Sequence, residues 1–396
     1  MTRRSTLRAR TSIVTALWLA IACSGDPTAV APRTLEIRPA QGLVVGVGGT
    51  FLFQAVALGL GGVEVDVGGA VWSTEDPHIA TVDGRGLVTG ASMGTTSVSV
   101  ELGELVETAR LEVYVPPTVV EYLPGASYFG RNAYVEYIPG ELPVVLSAPH
   151  GGSLTPDEIA DRTYGAVVPD RNTRQLTLAV REAFMDQTGY APHVVISHLD
   201  RVKLDPNREI IEAAQGDPFA EQAWDEFHEY IERARVPVSA VGGGMYFDMH
   251  GHGHPKARLE LGYLLSAEEL NQADASLNSL AVVQRTSIRE IGRDSPIPFS
   301  QLLRGPTSLG GYLESAGVPA VPSPGDPTPG DDPYFSGGYS TAIHGSRADT
   351  ELVSGIQIEH HYPGLRDSDE NRRAYAALLA AAVRDFMLEH FGYFEP

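Results

Sequence analysis

Cysteine is almost absent from this chain: Cys23 is the only one. No disulfide can close within it and a cysteine-rich zinc site is excluded, so any metal would have to be held by His, Asp and Glu. The one long apolar run near the start, residues 13–21, is far short of the roughly 20 residues needed to span a bilayer. Basic charge is scarce as well. Lys and Arg number 29 against 50 Asp and Glu, giving a formal charge of −21. Four of the arginines, Arg3, Arg4, Arg8 and Arg10, lie in the first 22 residues, which hold no acid, so the remainder is more acidic still. Such a body repels nucleic acid and anionic membranes, and no basic patch interleaved with aromatics offsets it. Nucleic acid is therefore excluded as a partner, and an anionic substrate must be caught by a few placed arginines.

What is present begins with an address. A basic start, the apolar run and small residues before Cys23 read as a signal peptide over residues 1–22. Ala20-Ile21-Ala22-Cys23 fits an Ala-x-Ala cleavage site and also resembles a bacterial lipobox, with the usual leucine one place early at Leu19. Thr2-Arg3-Arg4-Ser5-Thr6-Leu7 loosely resembles a twin-arginine signal. Cys23 is thus the expected lipidation site, followed by a tether over 23–33, and a lipid anchor is the only membrane contact expected.

From 34 to 115 short β-rich runs alternate with turn residues, the signal for an all-β sandwich. The clearest runs are 35–37, 51–56, 63–67, 96–100 and 111–115, with Trp72 as the expected core anchor beside Ala80, Val82 and Leu87. The string Val71-Trp72-Ser73-Thr74-Glu75-Asp76-Pro77-His78-Ile79-Ala80-Thr81-Val82-Asp83, with Gly86-Leu87-Val88-Thr89-Gly90 and Gly94-Thr95-Thr96 after it, resembles the group 2 bacterial Ig-like domain. That resemblance implies a spacer or adhesive module, with cell-wall or surface contact possible through it. His78 is read as a surface turn residue. Pro116-Pro117 then breaks the chain, and residues 116–141 are expected to form a linker and entry segment.

After Pro143 the texture changes to apolar strands alternating with helices, including helices over 172–186 and 369–390, which argues an α/β domain with a mostly parallel sheet over 142–396. Ligands in such sheets sit at the carboxyl ends of the strands. Those ends present His150-Gly151-Gly152, then Arg201 with Asp205-Pro206-Asn207-Arg208, then Asp248-Met249-His250-Gly251-His252, and finally Glu359-His360-His361. Two histidines, a carboxylate and an open position define a catalytic zinc site, and a further glutamate can act as general base. Each residue has a plainer use. His150 could be a turn histidine, Asp170 the N-cap of the helix after it, and Glu359 a solvated strand-end charge. His252 and His254 are read as loop residues or outer partners of the site.

Several short stretches resemble the N-formylglutamate amidohydrolase family, a relative of zinc carboxypeptidases and aspartoacylases. They are Ser147-Ala148-Pro149-His150-Gly151-Gly152, Asp170 with Thr173 and Leu176, Asp205-Pro206-Asn207-Arg208, Phe247-Asp248-Met249-His250-Gly251, Glu260-Leu261-Gly262-Tyr263 and Ile356-Gln357-Ile358-Glu359. The resemblance implies a zinc carboxypeptidase-like fold with His150 and His250 as Zn2+ ligands, Glu359 as general base, and Asn207 and Arg208 gripping a substrate carboxylate. It departs from the carboxypeptidase His-x-x-Glu pattern, because Ser153 stands where the glutamate would be. Glu158 and Asp170 are the candidates for the third ligand, with Asp170 preferred because it opens a helix after the His150 loop. Arg201 or Arg162 is expected to stabilise the oxyanion or to form a structural ion pair. Residues 322–338, with Tyr334 and Phe335, are expected as a lid or a rigid surface loop, with Tyr339 just beyond. The expected activity is hydrolysis of a small acyl-amino acid or peptide amide, and the rival is a non-catalytic surface adhesin.

Overall fold

The computed structural model describes residues 31–346 and 351–394. The expected signal peptide and Cys23 lie outside the described residues. Period-two alternation does build a sandwich in the first part. Its strands are β1 (Thr34–Arg38), β2 (Gln41–Val45), β3 (Thr50–Leu52), β4 (Gln54–Leu58), β5 (Glu64–Val65), β6 (Val71–Thr74), β7 (Ala80–Val82), β8 (Leu87–Gly90), β9 (Gly94–Leu102) and β10 (Leu105–Tyr114). They form sheets ordered β1-β4-β5, β2-β10-β9-β6 and β3-β8-β7. On β9, Thr96, Val98 and Val100 point inward, and on β10, Ala109, Leu111 and Val113 do the same. They meet Leu35, Val44, Phe53 and Val88 in one apolar core. Trp72 packs half-buried against that core, and His78 is exposed in a turn.

The second part is one eight-stranded mixed sheet with helices on both faces. Its strands are β11 (Tyr128–Phe129), β12 (Val135–Ile138), β13 (Val144–Ala148), β14 (His193–Ser197), β15 (Gly244–Gly251), β16 (Leu259–Gly262), β17 (Ala320–Val321) and β18 (Val353–His360). Their order is β11-β12-β14-β13-β15-β18-β16-β17. The central four, β14, β13, β15 and β18, are parallel and carry only buried residues apart from Gly251. That suits strands covered on both faces. Side chains alternate between the two faces: Val144, Leu146, Met245 and Phe247 join one core, while Val145 and Tyr246 join the other. The expected linker over 116–141 needs correction, because 128–138 supplies β11 and β12 at an antiparallel edge. Residues 135–138 are all buried, so that stretch has the burial of a sheet strand, not of a linker.

Helices Thr173–Thr188 and Asp369–Phe391 cover the first face, and Pro218–Ala240 covers the second. Asp217 caps the last of these by accepting from the Phe219 and Ala220 amides, with Pro218 in its first turn. Ser368 caps Asp369–Phe391, which ends at Gly392 with φ +69°, a conformation natural to glycine. The sandwich docks through a polar cluster. Arg131 is buried and holds Glu112 of β10 and Glu158 together. Leu43 and Tyr114 of the sandwich pack into the second core. Among the described residues no helix is long and apolar enough to cross a membrane.

Candidate metal centre

His150 follows the carboxyl end of β13, and His250 lies near that of the neighbouring parallel strand β15. The sheet therefore sets the two imidazoles side by side, with ring centres 4.8 Å apart and both buried. Asp170 joins them from the segment before helix Thr173–Thr188. It does not cap that helix. Asn172 takes the N-cap position without a side-chain bond, and only the Asp170 carbonyl serves the first turn. The carboxylate is left free to turn inward, where the Gly251 amide donates to Oδ2 at 3.1 Å.

The hydrogen-bond inventory shows what this pocket lacks. His150 Nε2 lies 2.6 Å from Asp205 Oδ1, and His250 Nε2 lies 2.8 Å from Asp248 Oδ2. A carboxylate accepts, so each imidazole carries a proton on Nε2, and Nδ1 is the nitrogen that would take a metal. Both Nδ1 atoms then face Asp170 Oδ2 at 3.2 Å each. The two Nδ1 atoms and the Asp170 carboxylate thus converge on one point, hydrogen-bonded to one another and able to hold a metal ion in place of those protons. The donor set is that of a His/Asp/His metal group, and its ligand atoms lie within 4.8 Å of one another. The outer carboxylates supply the orientation that metal-binding histidines normally receive. These residues fit a metal.

In the metal-free protein a proton on His250 takes the place of that cation. Burial disfavours a charged His250, but Asp248, Asp170 and Glu359 outweigh it and hold the imidazole well above its ordinary range. Burial likewise opposes the Asp170 charge, and His150 and His250 overcome it, pulling that carboxyl well below its usual value. The site thus presents a negative field that favours a cation.

Glu359, on β18 directly across from His250, is buried. Burial pushes its carboxyl up to about 8; the His250 charge opposes the rise, while Asp170, Glu260 and Asp248 add to it. The Gln357 side chain donates to Glu359 Oε1 at 2.9 Å and holds it in place. Asn207 is buried beside His250, its Oδ1 accepting from the Ser340 amide. Arg208 lies farther out, about one-third exposed, with Nε 3.3 Å from Glu212 and Nη1 donating to the Asn207 carbonyl. Arg201 faces the cleft. Its Nε donates to Asp205 at 2.9 Å and its Nη1 stands 3.6 Å from Asp170. Arg162 is buried, with Nε and Nη1 taken up by backbone carbonyls. Glu158, the other candidate ligand, is not at this centre: Arg131, Tyr134 and Asn132 hold it at the sandwich contact.

The cleft above the centre is lined by Asp170, Arg171, Arg201, His252, His254 and Phe335, among others. Residues 322–338 form one wall of the cleft region and are held to it by several contacts. Tyr334 donates to the Leu261 carbonyl, the Phe335 amide to Glu260, and Asp326 and Asp332 pair with buried Arg258. Sequence reasoning named no role for Asp205, Asp248 or Glu260. The spacing Asp248-x-His250 on one strand face was a usable signal for the second of these; Asp205 reaches His150 from 55 residues away, and no local pattern shows that.

Residues 44–113 match the family model described as bacterial Ig-like domain (group 2). No match was found among curated proteins. Among solved structures, the chain is similar to domains 4 and 5 of the S-layer protein SbsC, at 17% identity and TM-score 0.20. That match covers 21% of this chain and 53% of the other, so it spans only about half of the S-layer fragment. It is also similar to gene product Atu2144 from Agrobacterium tumefaciens, at 14% identity over 65% of this chain and 94% of that one, TM-score 0.41. A third is a protein of Shewanella denitrificans OS-217 assigned as a carboxypeptidase A, at 10% identity over 89% and 96%, TM-score 0.30. At such low identity and overlap none of these structures says what this chain does. The fold and site define a two-part protein: an Ig-like sandwich joined to an α/β domain that carries a buried His/Asp/His group able to hold a metal.

Proposed function

We propose that this is an exported, zinc-dependent amide hydrolase acting on an N-acyl amino acid or peptide with a free carboxylate. The observation that carries it is the convergence of His150 Nδ1, His250 Nδ1 and Asp170 Oδ2, each imidazole backed by its own carboxylate, with Glu359 alongside. Three protein ligands leave a position open, as catalytic zinc sites do. When bound, the metal supplies an acidified water and polarises the carbonyl to be attacked. Burial raises the Glu359 carboxyl, and a bound metal cation would lower it again, leaving a carboxylate suited to accept a proton and return it to the leaving amine. That Arg201 faces the cleft beside Asp170 supports a role for it in meeting an oxyanion or a substrate carboxylate. Arg208 and Asn207 are assigned to the carboxylate by the motif they share with N-formylglutamate amidohydrolases, and in this role Arg208 would release Glu212. The Ig-like domain favours action at the cell surface, in keeping with residues 1–22 as an export signal and Cys23 as a lipid anchor. The same domain supports the second reading, a surface adhesin with an idle hydrolase fold.

Turnover of a panel of N-acyl amino acids and peptides, with metal analysis, separates the two. Glu359→Gln should keep the metal and lower kcat by about 100-fold or more. His250→Ala should lose metal by elemental analysis. Full activity in Glu359→Gln would refute the general-base role, and a wild-type chain with neither metal nor turnover would leave the adhesin.

A further inference from the structure

Beyond the centre just described, the loop after β15 and the start of β16 bring together three more groups with metal-ligand chemistry. We propose that His252, His254 and Glu260 form a second divalent-cation site, distinct from the His150–Asp170–His250 group and opening onto the same cleft. One ligand atom from each of the three lies within 4.8 Å of the others. The proton position of His252 is fixed by its partner. His252 Nε2 lies 2.8 Å from the Arg258 carbonyl, which can only accept, so Nδ1 carries the lone pair. That Nδ1 stands 3.8 Å from Glu260 Oε1, and His254 Nδ1 stands 2.7 Å from the same oxygen, to which it donates a proton that an ion would displace. The other carboxylate oxygen is held by the Phe335 amide at 2.8 Å, which leaves Oε1 facing the histidines. The Phe335 ring stacks on His254 at 4.6 Å and 14°, fixing the imidazole plane. Each prospective ligand is therefore oriented from behind by protein, the arrangement a metal site requires. One contact competes: the His254 amide points at His252 Nδ1 at 3.1 Å and would have to yield to an ion.

Charge gives a separate reason. Glu260 is buried and stands directly across from Glu359, itself buried, in the β16–β18 register. Among the described residues the basic groups within 4 Å of its carboxylate are His252 and His254. A carboxylate buried beside two imidazoles is stabilised by a counter-charge, and a divalent ion held by the three groups would supply it. His254 is partly exposed and lines the cleft, so an ion has a route in and keeps an open position towards solvent. Two histidines and a carboxylate suit zinc or another transition metal of its class.

The test uses the untagged full chain, stripped of metal, loaded with Zn2+ and passed through gel filtration before elemental analysis. Two equivalents per chain are expected. His254→Ala should retain one, His250→Ala should retain one, and the double variant none. Because His254 is partly exposed, His254→Ala should fold; Glu260→Gln, which keeps shape and removes the charge, provides the second variant and should also retain one. Co2+ loading gives an independent readout, since the visible band lost in His254→Ala should differ from the one lost in His250→Ala. A single equivalent retained by His250→Ala and lost by His254→Ala would uphold this site and remove the proposed hydrolytic centre. The proposal is overturned if His254→Ala binds as much metal as wild type, or if wild type holds one equivalent that His250→Ala abolishes. In either case His254 serves only as a hydrogen-bond partner of Glu260.

Discussion

Asp205 and Asp248 touch the two histidines, not the cleft, yet they decide which ring nitrogen faces inward. Replacing either carboxylate by an amide keeps the shape and removes the charge that fixes the tautomer. Asp205→Asn and Asp248→Asn are each expected to weaken metal binding by about 10- to 100-fold, measured by competition with a chromophoric chelator. Unchanged affinity in both would mean that the histidines are oriented by other partners. At this scale the sequence was informative about residue type and less so about partnership. His150, His250 and Glu359 could be picked out because each stands at or just past a strand end, next to glycine in the case of the histidines. The choice between Asp170 and Glu158 could not be made that way, since both follow the His150 loop at distances a flexible chain spans equally well. Folding separates them: Asp170 turns towards the imidazoles and Glu158 towards Arg131.

Among the elements, long periodic ones were readable to within a few residues. The helix expected over 172–186 runs Thr173–Thr188, and that over 369–390 runs Asp369–Phe391. The run 51–56 divides instead into β3 and β4, in different sheets, because Phe53 leaves the ladder and sinks into the core. The short helices between Ala267 and Ser315 gave no periodic signal, being too brief to show one. The contact between Glu158 and Arg131 carries a pH signature. Burial alone would raise the Glu158 carboxyl, but hydrogen bonds from Arg131 and Tyr134 prevail and hold it at about 2, below its ordinary 4.5. Its stabilising effect is complete above 4.5 and is lost as pH falls from there through about 2. Glu158→Gln should therefore cost about 2 kcal/mol at neutral pH, allowing for solvent screening, with the gap from wild type closing towards pH 2. Urea denaturation across that range measures it; a difference independent of pH would show that the ionised pair is not the cause.

For the whole molecule, negative charge and metal demand belong together. Asp170, Asp205, Asp248, Glu260 and Glu359 are all buried in one region of an already acidic chain. Arg201 and His250 offset part of this charge, and an ion that binds only the native state adds to its stability. At a free metal concentration 100-fold above Kd the gain is about 2.7 kcal/mol. Thermal unfolding with and without chelator should show a clear drop in midpoint for wild type and a smaller one for His250→Ala. A midpoint indifferent to chelator would contradict a structural demand for metal. The sandwich shares Leu43 and Tyr114 with the second core, so its unfolding is expected to respond in part as well.

What the sequence determined by itself was local: a sandwich from period-two alternation, an α/β domain from strands alternating with helices, and chemistry-bearing residues at the strand ends. Those follow from backbone geometry, which repeats over a few residues and so leaves a visible period. The tertiary structure decided which carboxylate meets the histidines, that Asp205 backs His150, and that Glu260 lies opposite Glu359. These are contacts between segments tens of residues apart, set by strand order and register, and no short-range pattern in a single chain encodes them.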